Sequence, residues 1–108
     1  MNKHSSEIIC DDNFDILRMI NAKMRDIICL KKENRSFSQR IKHLHQKRSE
    51  YLKIIKTNKD CKDILRDYNE KIDSNINREI FLTKLQEYNS KLILNYRNEI
   101  QQLRKELV

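Results

Sequence analysis

Residues 9–58 read ICDDNFDILRMINAKMRDIICLKKENRSFSQRIKHLHQKRSEYLKIIKTN, and the spacing of the apolar side chains in this stretch decides the fold. Stepping four, three, four, three from Ile9 lands on Ile9, Asn13, Ile16, Ile20, Lys23, Ile27, Leu30, Asn34, Phe37, Ile41, Leu44, Arg48, Tyr51, Ile55 and Asn58. Ten of these fifteen positions are apolar or tyrosine, where composition alone would give about six. A 3.5-residue repeat held over about seven heptads winds a greasy ribbon along an α-helix, and such a ribbon is stable only when another helix covers it.

In this register the a positions are Asn13, Ile20, Ile27, Asn34, Ile41, Arg48 and Ile55, and the d positions include Ile16, Leu30, Phe37, Leu44 and Tyr51. β-Branched residues at a with a central asparagine favour two strands and fix register at some cost in stability. Lys23 at d and Arg48 at a would face their own copies in a symmetric dimer. A partner presenting carboxylates there relieves that repulsion, so the pattern favours a hetero-oligomer over a homo-oligomer. Leu17, Met19 and Met24, and later Leu52 and Ile54, flank the seam at e and g. A simple pair leaves these in water, which argues for a third or fourth helix.

Outward from this stretch the composition agrees. The 108 residues include no glycine, proline or tryptophan, which removes the material of positive-φ turns, hairpins and phosphate-cradling loops. Alanine occurs only at Ala22, so helix stability must come from packing more than from propensity. Residues 1–11 read as a flexible polar N-terminus, with Asp12 as the N-cap of a single helical region over 12–108. Thr57-Asn58-Lys59-Asp60 is the weakest helical stretch; a break at 57–60, with Asp60 capping the second arm, gives two nearly equal arms. Residues 73–77 are the rival break point. The second half carries Leu65, Tyr68, Ile72, Ile76 and Ile80, then, after a phase shift, Phe81, Leu85, Tyr88, Leu92, Tyr96, Ile100, Leu103 and Leu107. These spacings lie nearer 3.6 than 3.5 and predict a straighter helix.

The expected fold is all-α: long coiled-coil helices in a two-helix antiparallel hairpin within a dimer or bundle, with one bent rod in a parallel dimer as the alternative. The expected partner-helix interface comprises Ile16, Ile20, Ile27, Leu30, Asn34, Phe37, Ile41, Leu44, Arg48, Tyr51 and Ile55 of the first half, and Leu85, Leu92 and Leu103 of the second.

Net charge is +7, and residues 31–48 hold Lys31, Lys32, Arg35, Arg40, Lys42, Lys47 and Arg48 against Glu33 alone. Such a block can neutralise phosphates, with affinity falling steeply as salt rises. The cations ring the helix, however, and serve an acidic protein partner equally well. Lys31, Lys32, Arg35, Arg40, Lys42 and Lys47 are the candidate contacts for either. His43 and His45 lie about 200° apart around a helix and cannot share a metal. Scattered Cys10, Cys29 and Cys61 form no ligand or disulfide pattern and point to reduced thiols in the cytoplasm or nucleus. No apolar run is long enough for a membrane span. No nucleophile, glycine loop or paired acid–base set points to catalysis, and no cofactor or metal is expected. The function expected is therefore a non-enzymatic coiled-coil subunit mediating assembly of an intracellular complex, of the kinetochore, centrosome or tether type. The alternatives are a basic module binding nucleic acid through residues 31–62 and a stand-alone homodimer.

Overall fold

The structure, a computed structural model, describes the backbone from Asn2 to Val108 and the side chains from Asn13 onward. Two helices account for nearly all of it: α1, Asn2–Thr57, and α2, Lys62–Glu106. The chain is an all-α helical hairpin, and the bent-rod alternative is not realised. α1 is continuous across Asp12, so that residue does not begin the helix; nothing nearby is a breaker that would force a start there. The side chains of the stretch expected to be flexible, residues 1–11, lie outside the described residues. Residues 73–77, the rival break, are helical within α2.

The turn uses residues 58–61, a short connection of the kind expected between packed helices. It closes without glycine because no described residue needs a positive φ. Instead, side chains take up the carbonyls that α1 leaves open. The Asn58 amide donates to Ile54 O at 2.8 Å, and the Thr57 hydroxyl donates to Lys53 O and Ile54 O at 3.2 and 3.1 Å. Asn58 N reaches Ile55 O, and Cys61 N reaches Asn58 O. Since α2 starts at Lys62, Cys61 and not Asp60 holds the N-cap position, and its carbonyl accepts from Leu65 N at 3.1 Å. Asp60 is consumed by the turn itself. Asp63 in the first turn of α2 and Arg104 and Lys105 in its last turn match the helix dipole.

The chain falls into two compact units, Met1–Lys32 with Asn89–Val108, and Glu33–Tyr88. In the first, Ile20, Ile27, Ile93 and Ile100 form a buried cluster, and Ile16, Leu30, Tyr96, Leu103 and Leu107 pack against it. Each such isoleucine contributes about 1.5–3 kcal/mol through burial. The helices of the pair run antiparallel: Asn13 exchanges two hydrogen bonds with the main chain of Val108, while Lys23 reaches back to Glu99. In the second unit Phe37 and Leu82 are buried, Asn34 meets Gln86, Leu44 meets Asn75, and Tyr51 meets Tyr68 edge-on with ring centroids 5.6 Å apart. That order is again antiparallel, and the turn closes it.

Candidate protein-interaction site

Along α1 and into the turn, every a and d position from Asn13 to Asn58 is withdrawn from solvent, and Ile54 is the one other residue that joins them. The interface residues expected from the heptad, Ile16, Ile20, Ile27, Leu30, Asn34, Phe37, Ile41, Leu44, Arg48, Tyr51 and Ile55, are all buried or half-buried. The helix they face is the chain's own α2. Leu103 lies on the α2 seam, whereas Leu85 and Leu92 are half-buried at its flank.

The seam of α2 differs from the expected one. The residues withdrawn from solvent at strict three-and-four spacing are Tyr68, Ile72, Asn75, Glu79, Leu82, Gln86, Asn89, Ile93, Tyr96, Ile100, Leu103 and Leu107. There is no phase shift and no drift toward 3.6. Ile76, Ile80, Phe81 and Tyr88, expected inside, are exposed. The reason is chemical pairing across the hairpin: α1 brings polar groups to its seam, and only polar groups on α2 can satisfy them.

Two networks do this. Asn75, 6% exposed, donates to Leu44 O at 2.9 Å while its Oδ1 accepts from Arg48 Nε at 3.0 Å. The Arg48 guanidinium also lies 3.3 Å from Glu79 Oε1 as an ion pair; its Nη2 has no bond of hydrogen-bond geometry, so that contact is electrostatic. Glu79 contacts His45 as well. In the second network, Gln86 Nε2 donates to Asn34 O at 2.9 Å and to Ser38 Oγ at 2.7 Å, and Asn34 Nδ2 returns a bond to Gln86 O at 3.4 Å. Asn34 therefore meets a glutamine of its own chain. Lys23 pairs with Glu99 at 2.6 Å and lies 5.5 Å from the Tyr96 ring centroid. Lys23 and Arg48 thus find their carboxylates within the chain and give no argument for a heteromeric mate.

The hairpin leaves several large apolar side chains uncovered. Phe14, Leu17, Met19, Met24 and Ile28 of the first unit are exposed, as is Leu94 of α2; in the second unit Leu52, Ile76, Ile80, Phe81 and Tyr88 are exposed. Two grooves flank the seam of the first unit. One, lined by Met19, Lys23, Asn98, Glu99, Gln102 and Leu103, contains the Lys23–Glu99 pair. The other has Ile27 and Ile100 as its floor, Met24, Ile28 and Lys31 on one wall, and Arg97, Gln101 and Arg104 on the other. Arg97 and Arg104 do not stand out in the sequence; counting α2 heptads with polar seam positions allowed places both at e.

The candidate cations Lys31, Lys32, Arg35, Arg40, Lys42 and Lys47 are all exposed but do not converge. Lys31 belongs to the groove of the first unit. In the second unit Arg40 and His43 line a groove with Arg78 and Phe81, and His43 and Lys47 line an adjoining one with Lys71 and Arg78. Arg35 and Lys42 lie on neither wall. His43 and His45 point apart, as the helical repeat requires: His43 lines the grooves and His45 turns to Glu79. Among the described residues no group of His, Cys, Asp and Glu is placed to hold a metal, Cys29 and Cys61 are free and exposed, and no helix is long and apolar enough to cross a membrane. No protein-family model matches the chain, and neither a curated protein nor a solved structure matches it.

Proposed function

We propose that the chain is a non-catalytic coiled-coil subunit that joins a multi-subunit complex by burying exposed apolar side chains of its hairpin under a helix of another protein. The observation that carries this reading is the stripe Phe14, Leu17, Met24 and Ile28 on α1. These residues recur at helical spacing outside a seam that the chain's own second helix already fills. Exposed apolar side chains that repeat along one side of a helix suit an interaction site, and anchors at such spacing are the signature of helix-in-groove recognition. Internal satisfaction of the polar seam fits the same role, because the hairpin is then a preformed platform and little ordering remains to be done on binding.

Photo-crosslinking from position 28 of the full chain in its native cells, followed by sequencing of the linked peptides, tests the proposal. Recurrent linkage to one helical segment of one protein is expected. Linkage only to its own copies, or none, overturns it.

A second reading rests on the groove cations Arg40, Lys47, Lys71 and Arg78, with His43 between them and no carboxylate on the walls they line. Such a groove suits the phosphates of a single-stranded nucleic acid. Binding to a labelled oligonucleotide should then weaken by roughly 0.7 log units per phosphate contact for each tenfold rise in salt. Absence of binding at low salt removes this reading.

A further inference from the structure

Resting on the helix-docking role, we infer that the groove of the first unit between Met24–Ile28 and Arg97–Arg104 receives an acidic amphipathic helix of a protein partner. Three features specify the occupant. The first is the apolar row: Phe14, Leu17, Met24 and Ile28 occupy b and e positions on one side of α1 and are 44–59% exposed. Together with Lys31, this row runs along roughly 25 Å of helix, enough to seat about five turns. The second is the charge. Lys31, Arg97 and Arg104 rim the groove, Arg18 stands 5.8 Å from the Phe14 ring centroid, and no carboxylate lines the walls. None of these four cations has an ion-pair partner among the described residues. The third is the contrast with the opposite groove of the same unit, where Lys23 is neutralised by Glu99.

The rim charges select against a second copy of this chain, since stacking the face on itself sets Lys31, Arg97 and Arg104 against like charges. They select for a helix whose aliphatic residues recur at three-and-four spacing, with Asp or Glu along its edges. Arg97 and Arg104 are two turns apart on α2, so the carboxylates that meet them recur every seven residues on the partner.

The test uses the full chain and two fluorescent 21-residue helical peptides with leucine at a and d. One carries glutamate at e and g, and the other carries lysine there. Anisotropy should show the acidic peptide binding at least tenfold more tightly than the basic one. R97E/R104E should weaken the acidic peptide at least tenfold and strengthen the basic one, a reversal that loss of fold cannot produce. M24S/I28S should weaken the acidic peptide, with circular dichroism showing the helix content kept. Equal binding of both peptides, or indifference to R97E/R104E, overturns the acidic partner while leaving helix docking in place. Indifference to M24S/I28S removes this groove as the seat. Preference for phosphatidylserine vesicles over the acidic peptide, lost in R97E/R104E, would make the face a lipid contact and also overturn the proposal.

Discussion

Asn75 is expected to contribute more to this hairpin than the exposed isoleucines beside it, Ile76 and Ile80. Its amide is at once donor to the Leu44 carbonyl and acceptor from Arg48, and it is nearly inaccessible to water. Asn75→Ala strands both partners in a half-buried site and should cost about 1–3 kcal/mol. Ile80→Ser, further along the same helix, removes a larger apolar side chain that is exposed, and should change stability by no more than about 0.5 kcal/mol. Urea titration followed by circular dichroism distinguishes the two, and the opposite ranking would contradict a seam that runs through Asn75. Arg48 sits in the same network. Against its own copy it is a liability, and against Asn75 and Glu79 it is a register mark.

At the level of the helices, α1 was legible from its residues throughout, and α2 only toward its ends, at Tyr68, Ile72, Tyr96, Ile100, Leu103 and Leu107. In α1 the heptad positions are mostly apolar, and each one described is withdrawn from solvent. In α2 the same repeat passes through Asn75, Glu79, Gln86 and Asn89, so a search for apolar side chains slides off it onto Ile76, Ile80, Phe81 and Tyr88. The missing information lies in the other helix: Gln86 belongs inside because Asn34 is there, and Asn75 and Glu79 because Arg48 is there. Periodicity read on one strand of a pair cannot register that complement. The candidate site divides in the same way, since Met24 and Lys31 were visible as flanking residues while Arg97 and Arg104 depended on the hidden register. Adjacent isoleucines test the seam directly. Ile27→Ala, in the buried cluster, should lower stability by about 2–4 kcal/mol, and Ile28→Ala by about 0.5 kcal/mol or less. Equal thermal midpoints for the two would contradict the heptad.

For the whole molecule, the proposed docking role assigns stability and binding to different surfaces. The cluster Ile20, Ile27, Ile93 and Ile100 holds the first unit together, whereas Leu17 and Met24 contribute little to it. A chain carrying Leu17→Ser and Met24→Ser should keep its stability to within about 1 kcal/mol and lose the crosslink from position 28. A variant that lost both together would show that those two side chains are structural. Net charge of +7 opposes self-association through the basic rim and favours encounter with acidic surfaces.

The glycine-free connection at residues 58–61 has a practical corollary. It holds no left-handed residue, and the hydrogen bonds that shape it are local, so it directs little of the pairing between the helices. Peptides covering 1–58 and 61–108, made separately and mixed, should therefore reconstitute the antiparallel duplex without a covalent tether, more weakly at low concentration as a bimolecular step requires. Recognition between the severed halves would come from matched asparagine, glutamine, arginine and glutamate, a lock whose key was cut from the same chain.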